Sequence, residues 1–128
     1  MRIGIVRNKM ASNENQQGTA TEYVTVTASG HRPVKREYQR GTDADGWETA
    51  HNYHCALSEA VDVMVEREAT ARGASRTTPE ERATDPRHVR YEVRSYEVNG
   101  GRVSFQFVRG GTTFLAEMWI SVATTEEA

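Results

Sequence analysis

Cysteine is nearly absent: Cys55 stands alone, so no internal disulfide braces the chain. Proline occurs three times in 128 residues, too seldom for a proline-rich linker or recognition segment. No apolar run reaches the ~18 residues of a membrane span, which argues against membrane insertion and secretion. A cytoplasmic protein, or one assembled in the cytoplasm such as a virion part, is expected. An excess of either charge is also missing. The 16 basic and 18 acidic residues leave a net −2, which excludes the strongly basic footprint of a protein that coats nucleic acid. With 37% hydrophobic content, the chain suits one domain around one modest core.

What is present is clearest between residues 89 and 122, where turns and alternating apolar residues describe a three-stranded antiparallel meander. A three-residue loop at Asn99-Gly100-Gly101 sets Val93 opposite Phe107 and Ser95 opposite Phe105. A two-residue turn at Gly110-Gly111 pairs Phe107 with Phe114, Phe105 with Ala116 and Val103 with Met118. Strand alternation then assigns Tyr91, Val93, Val103, Phe105, Phe107, Phe114, Ala116, Met118, Ile120 and Val122 to the core face. The opposite face receives Arg90, Arg94, Tyr96, Val98, Arg102, Ser104, Gln106, Leu115, Glu117 and Trp119, with Trp119 across from Arg102.

A helix from about Asp45 to Ala69 is expected to cover the core face. Its stripe is Trp47, Ala50, His54, Leu57, Val61 and Met64, widened by Tyr53, Ala60 and Val65. Asp43 or Asp45 can cap its start, and Gly73 can stop it. Glu22–Ala28 and Val34–Gln39 alternate like strands around Ser29-Gly30-His31-Arg32-Pro33, and Arg2–Val6 reads as a further short strand. The fold class is α+β: an antiparallel sheet of about five strands, in the order strand, strand, helix, strand, strand, strand, with one long amphipathic helix on one face. Residues 1–19 form an N-terminal arm and 20–122 a single domain with a flexible 73–87 loop. Residues 123–128 form a polar tail. Translation starts at Met1 or at Met10, which opens Met-Ala-Ser-Asn.

Three patterns carry chemistry. His51 and Cys55 lie at i, i+4 on one helix flank and are zinc-ligand types, whereas His54 turns toward the apolar stripe. Three ligands on one metal would need helix distortion or a contribution from His31 or His88. The ordinary reading, a helix histidine beside a small cysteine, outweighs a metal site. Arg90, Arg94, Arg102 and Tyr96 near Trp119 could pair phosphate contact with base stacking, but Glu92, Glu97 and Glu117 interleave with them and make nucleic acid an unlikely partner. The third pattern is the apolar strip Tyr96, Val98, Leu115 and Trp119 beside Arg102. One helix cannot cover both faces of a sheet, so the strip must be packed by the upstream hairpin (Val24, Val26, Tyr38) or by another subunit.

Gly41-Thr42 followed by Trp47-Glu48 and Ala50, after a strand, resembles the opening of the dodecins, small strand-helix-strand-strand flavin-binding shells. Glu92-Val93 and Gln106 stand in places comparable to that family's Trp-x-Glu-Val strand and flavin-contacting glutamine. The resemblance implies a flavin cofactor contacted by Gln106 in an oligomeric shell. Arg90 replaces the stacking tryptophan, however, and the link from helix to strand is far longer. From the residues themselves, the leading expectation is a non-enzymatic assembly protein without a cofactor. It would self-associate or dock into a larger complex, such as a virion or mobile-element particle, through Tyr96, Val98, Arg102, Leu115 and Trp119 and the polar arms.

Overall fold

A computed structural model describes residues 21–127 of the protein. Five strands, β1 (Thr21–Thr27), β2 (Val34–Gln39), β3 (Tyr91–Ser95), β4 (Gly100–Arg109) and β5 (Thr112–Glu127), form one antiparallel sheet in the order β2-β1-β5-β4-β3. Between β2 and β3 run the long helix α1 (Trp47–Ala71) and the short helix α2 (Pro79–Thr84). The α+β architecture read from the sequence is the one observed. The expected Arg2–Val6 strand, the arm 1–19 and Met10 lie outside the described residues.

Helix α1 packs on one sheet face through Ala56, Leu57, Ala60, Val61, Met64, Val65 and Ala69, all buried. These meet Val24, Val26, Val34 and Tyr38 of the first hairpin and Tyr91, Val103, Phe105, Phe107, Met118 and Ile120 of the meander. At roughly 1.5–3 kcal/mol per large apolar side chain, this shared core is the main force holding helix to sheet. The carboxylates of Asp45 and Asp43 accept from the Trp47 and Glu48 amides, leaving Gly46 as the left-handed N-cap. Gly73, at φ 88°, ends the helix as expected, and the amide of Ala74 donates back to Ala69.

The expected stripe holds at Leu57, Ala60, Val61, Met64 and Val65, all buried, and at Tyr53, which packs on the core, but fails at its N-terminal end. Trp47, Ala50 and His54 are exposed, and the buried positions centre on Ala60 and Val65. In these first turns it is Tyr53 that packs edge-on against Tyr38 of β2, and Asn52 donates to the Gln39 carbonyl, while the Trp47 ring stacks on exposed His51.

The register of β4 against β5 agrees with the sequence at each pair named above, including Arg102 opposite Trp119. That of β3 against β4 does not: Val93 lies opposite Phe105 and Tyr91 opposite Phe107. Gly100 and Gly101 belong to β4, opposite Ser121 and Ile120, and the connection is Tyr96–Asn99, closed by the Gly100 amide on the Glu97 carbonyl. The slip spans two residues, so side-chain alternation is preserved and Tyr91 and Val93 still face inward. A bulge at Arg94 brings Ser95 opposite Ser104.

Two further expectations are corrected, and one of the two alternatives for the outer face is removed. The first hairpin does not fold over the outer face; β1 pairs with the second half of β5 and extends the same sheet, with Val24 and Val26 toward α1. Residues 123–127 are strand rather than tail, because β-branched Thr124 and Thr125 continue β5 opposite Val24 and Tyr23. Segment 73–87 is not structureless. Thr78-Pro79-Glu80-Glu81 makes a capping box that starts α2, Thr77 is buried, and Arg76 bridges to Val89. Replacing Thr78 with Ala removes that cap, and about 1 kcal/mol of α2 stability is expected to go with it, read as faster amide exchange confined to 78–85.

Glu68 ties α1 to the β1–β2 turn through His31 at 2.7 Å, and it accepts from Arg72 at 2.8 Å. The hydrogen bond from His31 is the main cause holding its carboxyl below the ordinary glutamate value of 4.5, with Arg72 adding to it and partial burial opposing both. A depressed carboxyl stabilises the fold above its unfolded value and ceases to do so as pH falls through its folded value. Melting temperature should therefore fall on acidification below pH 4.5. Glu68→Gln should be less stable at neutral pH and should lose part of that acid slope; an unchanged slope would remove Glu68 from the account.

Candidate interaction face

The sheet face turned away from α1 is built by alternation. Along the half of β5 paired with β4 the outward residues are Thr113, Leu115, Glu117, Trp119 and Ser121, and beside them on β4 stand Arg102, Ser104, Gln106 and Val108. Leu115 is 78% and Trp119 70% exposed, in a strand whose inward neighbours Met118 and Ile120 are buried. Among the described residues α1 makes its packing contacts on the other face, and α2 borders this one only at the β3 edge, where Glu81 and Thr84 share a cleft with Glu92, Gln106 and Val108.

Polar groups surround the two apolar side chains. Arg102 pairs with Glu117 across the strands at 3.7 Å. Arg94 reaches from the β3 bulge to donate to Gln106 at 2.7 Å. On the β1–β2 side, the Lys35 ammonium lies 4.3 Å from the centre of the Tyr23 ring. These exposed pairs add little stability, but they fix side-chain directions on the surface.

Of the five partner-binding residues expected from sequence, the structure brings together Arg102, Leu115 and Trp119. Tyr96 and Val98 are elsewhere. They occupy the β3–β4 turn, where Tyr96 packs against the core and the Tyr53 hydroxyl donates to the Val98 carbonyl at 3.1 Å. Burial chiefly, and Tyr96 secondarily, raise the Tyr53 phenol above its ordinary value. The misplacement follows from the register slip: alternation was carried through residues that are turn, where it has no meaning. The outward Tyr23, Lys35 and Glu37 are not legible in sequence, because neither alternative for covering the face, the first hairpin or another subunit, places that hairpin beside it in the same sheet.

The remaining candidates are distributed over the molecule. Gln106 lies on the outer face, opposite Leu115, and also borders a cleft of about 270 Å³ lined by Glu81, Arg87, Arg90 and Tyr91. In that cleft Arg90 pairs with Glu81 at 3.1 Å and the Arg87 guanidinium stands over the Tyr91 ring at 4.9 Å. Burial is the main reason the Tyr91 hydroxyl is pushed well above its ordinary range. Cys55 and His51 are neighbours, with Sγ 3.7 Å from Nε2 and the Trp47 ring stacked on His51. No group of three metal-ligating side chains occurs among the described residues. His54 turns outward against the edge of Tyr53 instead of toward the core, and His31 is engaged by Glu68.

No helix among the described residues is long and apolar enough to cross a membrane. No protein-family model, curated protein or solved structure matches this chain.

Proposed function

We propose that this protein is a non-enzymatic assembly component that self-associates or docks into a larger complex through the outer face of its sheet. The observation that carries this reading is the exposure of Leu115 and Trp119 on a face that no described element covers. Leaving a large apolar side chain in water forgoes roughly 1.5–3 kcal/mol of burial. Tryptophan framed by arginine is the composition that anchors protein interfaces. The Arg102, Glu117, Arg94 and Gln106 groups form the polar rim such an anchor requires. Nucleic acid fits less well, because Glu117 and Glu92 interleave with the arginines and leave phosphates no field of one sign.

Trp119 itself reports on the face. In a Trp47→Phe background it is the sole tryptophan, and its emission should shift to the blue and resist acrylamide as protein concentration rises. Emission that stays red and freely quenched at every concentration and in the presence of candidate complexes would contradict docking through this face.

A further inference from the structure

We infer that the occupant of the outer face is a second copy of this chain, packed sheet to sheet about a twofold axis that sets Arg102 of each copy against Glu117 of the other. This rests on the reading of the outer face as a docking surface and names its partner.

Charge carries the argument. The ionic residues that point outward within the strands are Lys35 and Glu37 on β2, Glu92 and Arg94 on β3, and Arg102 and Glu117 at the centre on β4 and β5, while Arg90, just before β3, is already paired with Glu81 of α2. Each location holds one residue of each sign, so the face has no net charge and no pole. A polyanion or an anionic membrane needs a positive field, and a strongly charged protein partner needs a field of the opposite sign. This face offers neither. An isologous interface, in contrast, requires a surface complementary to itself, and alternating signs around an apolar centre satisfy that requirement.

The central residues have the spacing such a pairing needs. Trp119 lies directly opposite Arg102 and two positions from Glu117 along β5. A twofold operation that exchanges Arg102 and Glu117 between copies therefore brings the two Trp119 rings together near the axis. Two exposed tryptophans leave water in one step, and the ion pair now formed within each copy at 3.7 Å is matched by one between copies. The outward positions of five strands number on the order of twenty, at the lower end of what each side of a standard interface uses.

The test is charge reversal followed by mixing, on the full chain, with subunit mass read by light scattering and fold by circular dichroism. Arg102→Glu makes the centre wholly acidic and Glu117→Arg makes it wholly basic. Each variant alone should dimerise about tenfold or more weakly than the parent while keeping its fold, and an equimolar mixture should regain the dimer as a heterodimer. If Trp119→Ala abolishes self-association but the mixture fails to restore it, the twofold pairing is overturned and docking through the face survives. If the unaltered chain stays at 14.4 kDa up to ~100 μM, a second copy is not the occupant. In that event, Trp119 shielded from acrylamide within the monomer assigns the face to residues 1–20, and a freely quenched Trp119 leaves it to a different protein; both overturn the inference.

Discussion

Phe105→Ala should lower the melting temperature by on the order of 15–20 °C, the largest single effect expected in this protein. Phe105 is 1% exposed at the centre of β4, with the Phe107 ring 6.2 Å away and the Arg72 guanidinium 5.6 Å above it. Truncation removes the contacts between α1 and the middle of the sheet and leaves a cavity that fixed strands on both sides cannot close. Losses of about 3–5 kcal/mol are usual for such a change, against a total stability of only about 5–15 kcal/mol. Leu115→Ala is the informative contrast. It lies on the strand opposite and points the other way, 78% exposed, and should alter stability by no more than about 0.5 kcal/mol. Chemical denaturation of the two variants, compared in the monomeric state, separates the face that holds the fold from the face available to a partner. Equal losses would mean that the outer face is part of the folding core.

The second large effect is expected at Gly100. Its φ of 91° is a conformation that side chains rarely adopt, and an added Cβ would lie 3.0 Å from the Val122 amide nitrogen and 3.2 Å from the Ile120 carbonyl oxygen. Strain and crowding act together there, because Gly100 is where β4 first pairs with β5, opposite Ser121. Gly100→Ala should cost about 2–3 kcal/mol. Gly111→Ala is the control. Its φ is 81° but nothing lies within 4 Å of the added atom, so only the conformational part, roughly 1–2 kcal/mol, applies. A Gly111 variant as unstable as the Gly100 variant would contradict the close approach of β4 to β5.

These two positions also show what the sequence made legible. The β4–β5 hairpin could be read in full because Phe105, Phe107, Phe114 and Met118 must share one face and Gly110-Gly111 permits only one register that does so. Gly100 misled for the opposite reason. A glycine pair after asparagine has the chemistry of a turn, yet here its freedom serves close strand approach, a tertiary demand that local pattern does not reveal. The helix was legible in existence, extent and rotation over Leu57 to Val65 but not at its start, since the periodicity of Trp47, Ala50 and His54 does not say whether the core reaches them. Of the candidate site, Leu115, Trp119 and Arg102 followed from alternation alone, whereas the contribution of β1 and β2 depended on hairpin docking that no local signal specifies. The capping box at Thr78 is present in the sequence as Thr-x-x-Glu, but it sits among polar neighbours with no apolar run after it to mark a helix.

On the proposed function, the outer sheet face carries the contacts by which this protein assembles. The most direct measurement is the molar mass of the full chain and of Trp119→Ala at matched concentrations, by sedimentation equilibrium, with circular dichroism of both. The account predicts a parent heavier than 14.4 kDa and a variant that returns to that mass with its fold unchanged. An assembly of the same mass in both proteins would contradict it and would place the contact on another surface.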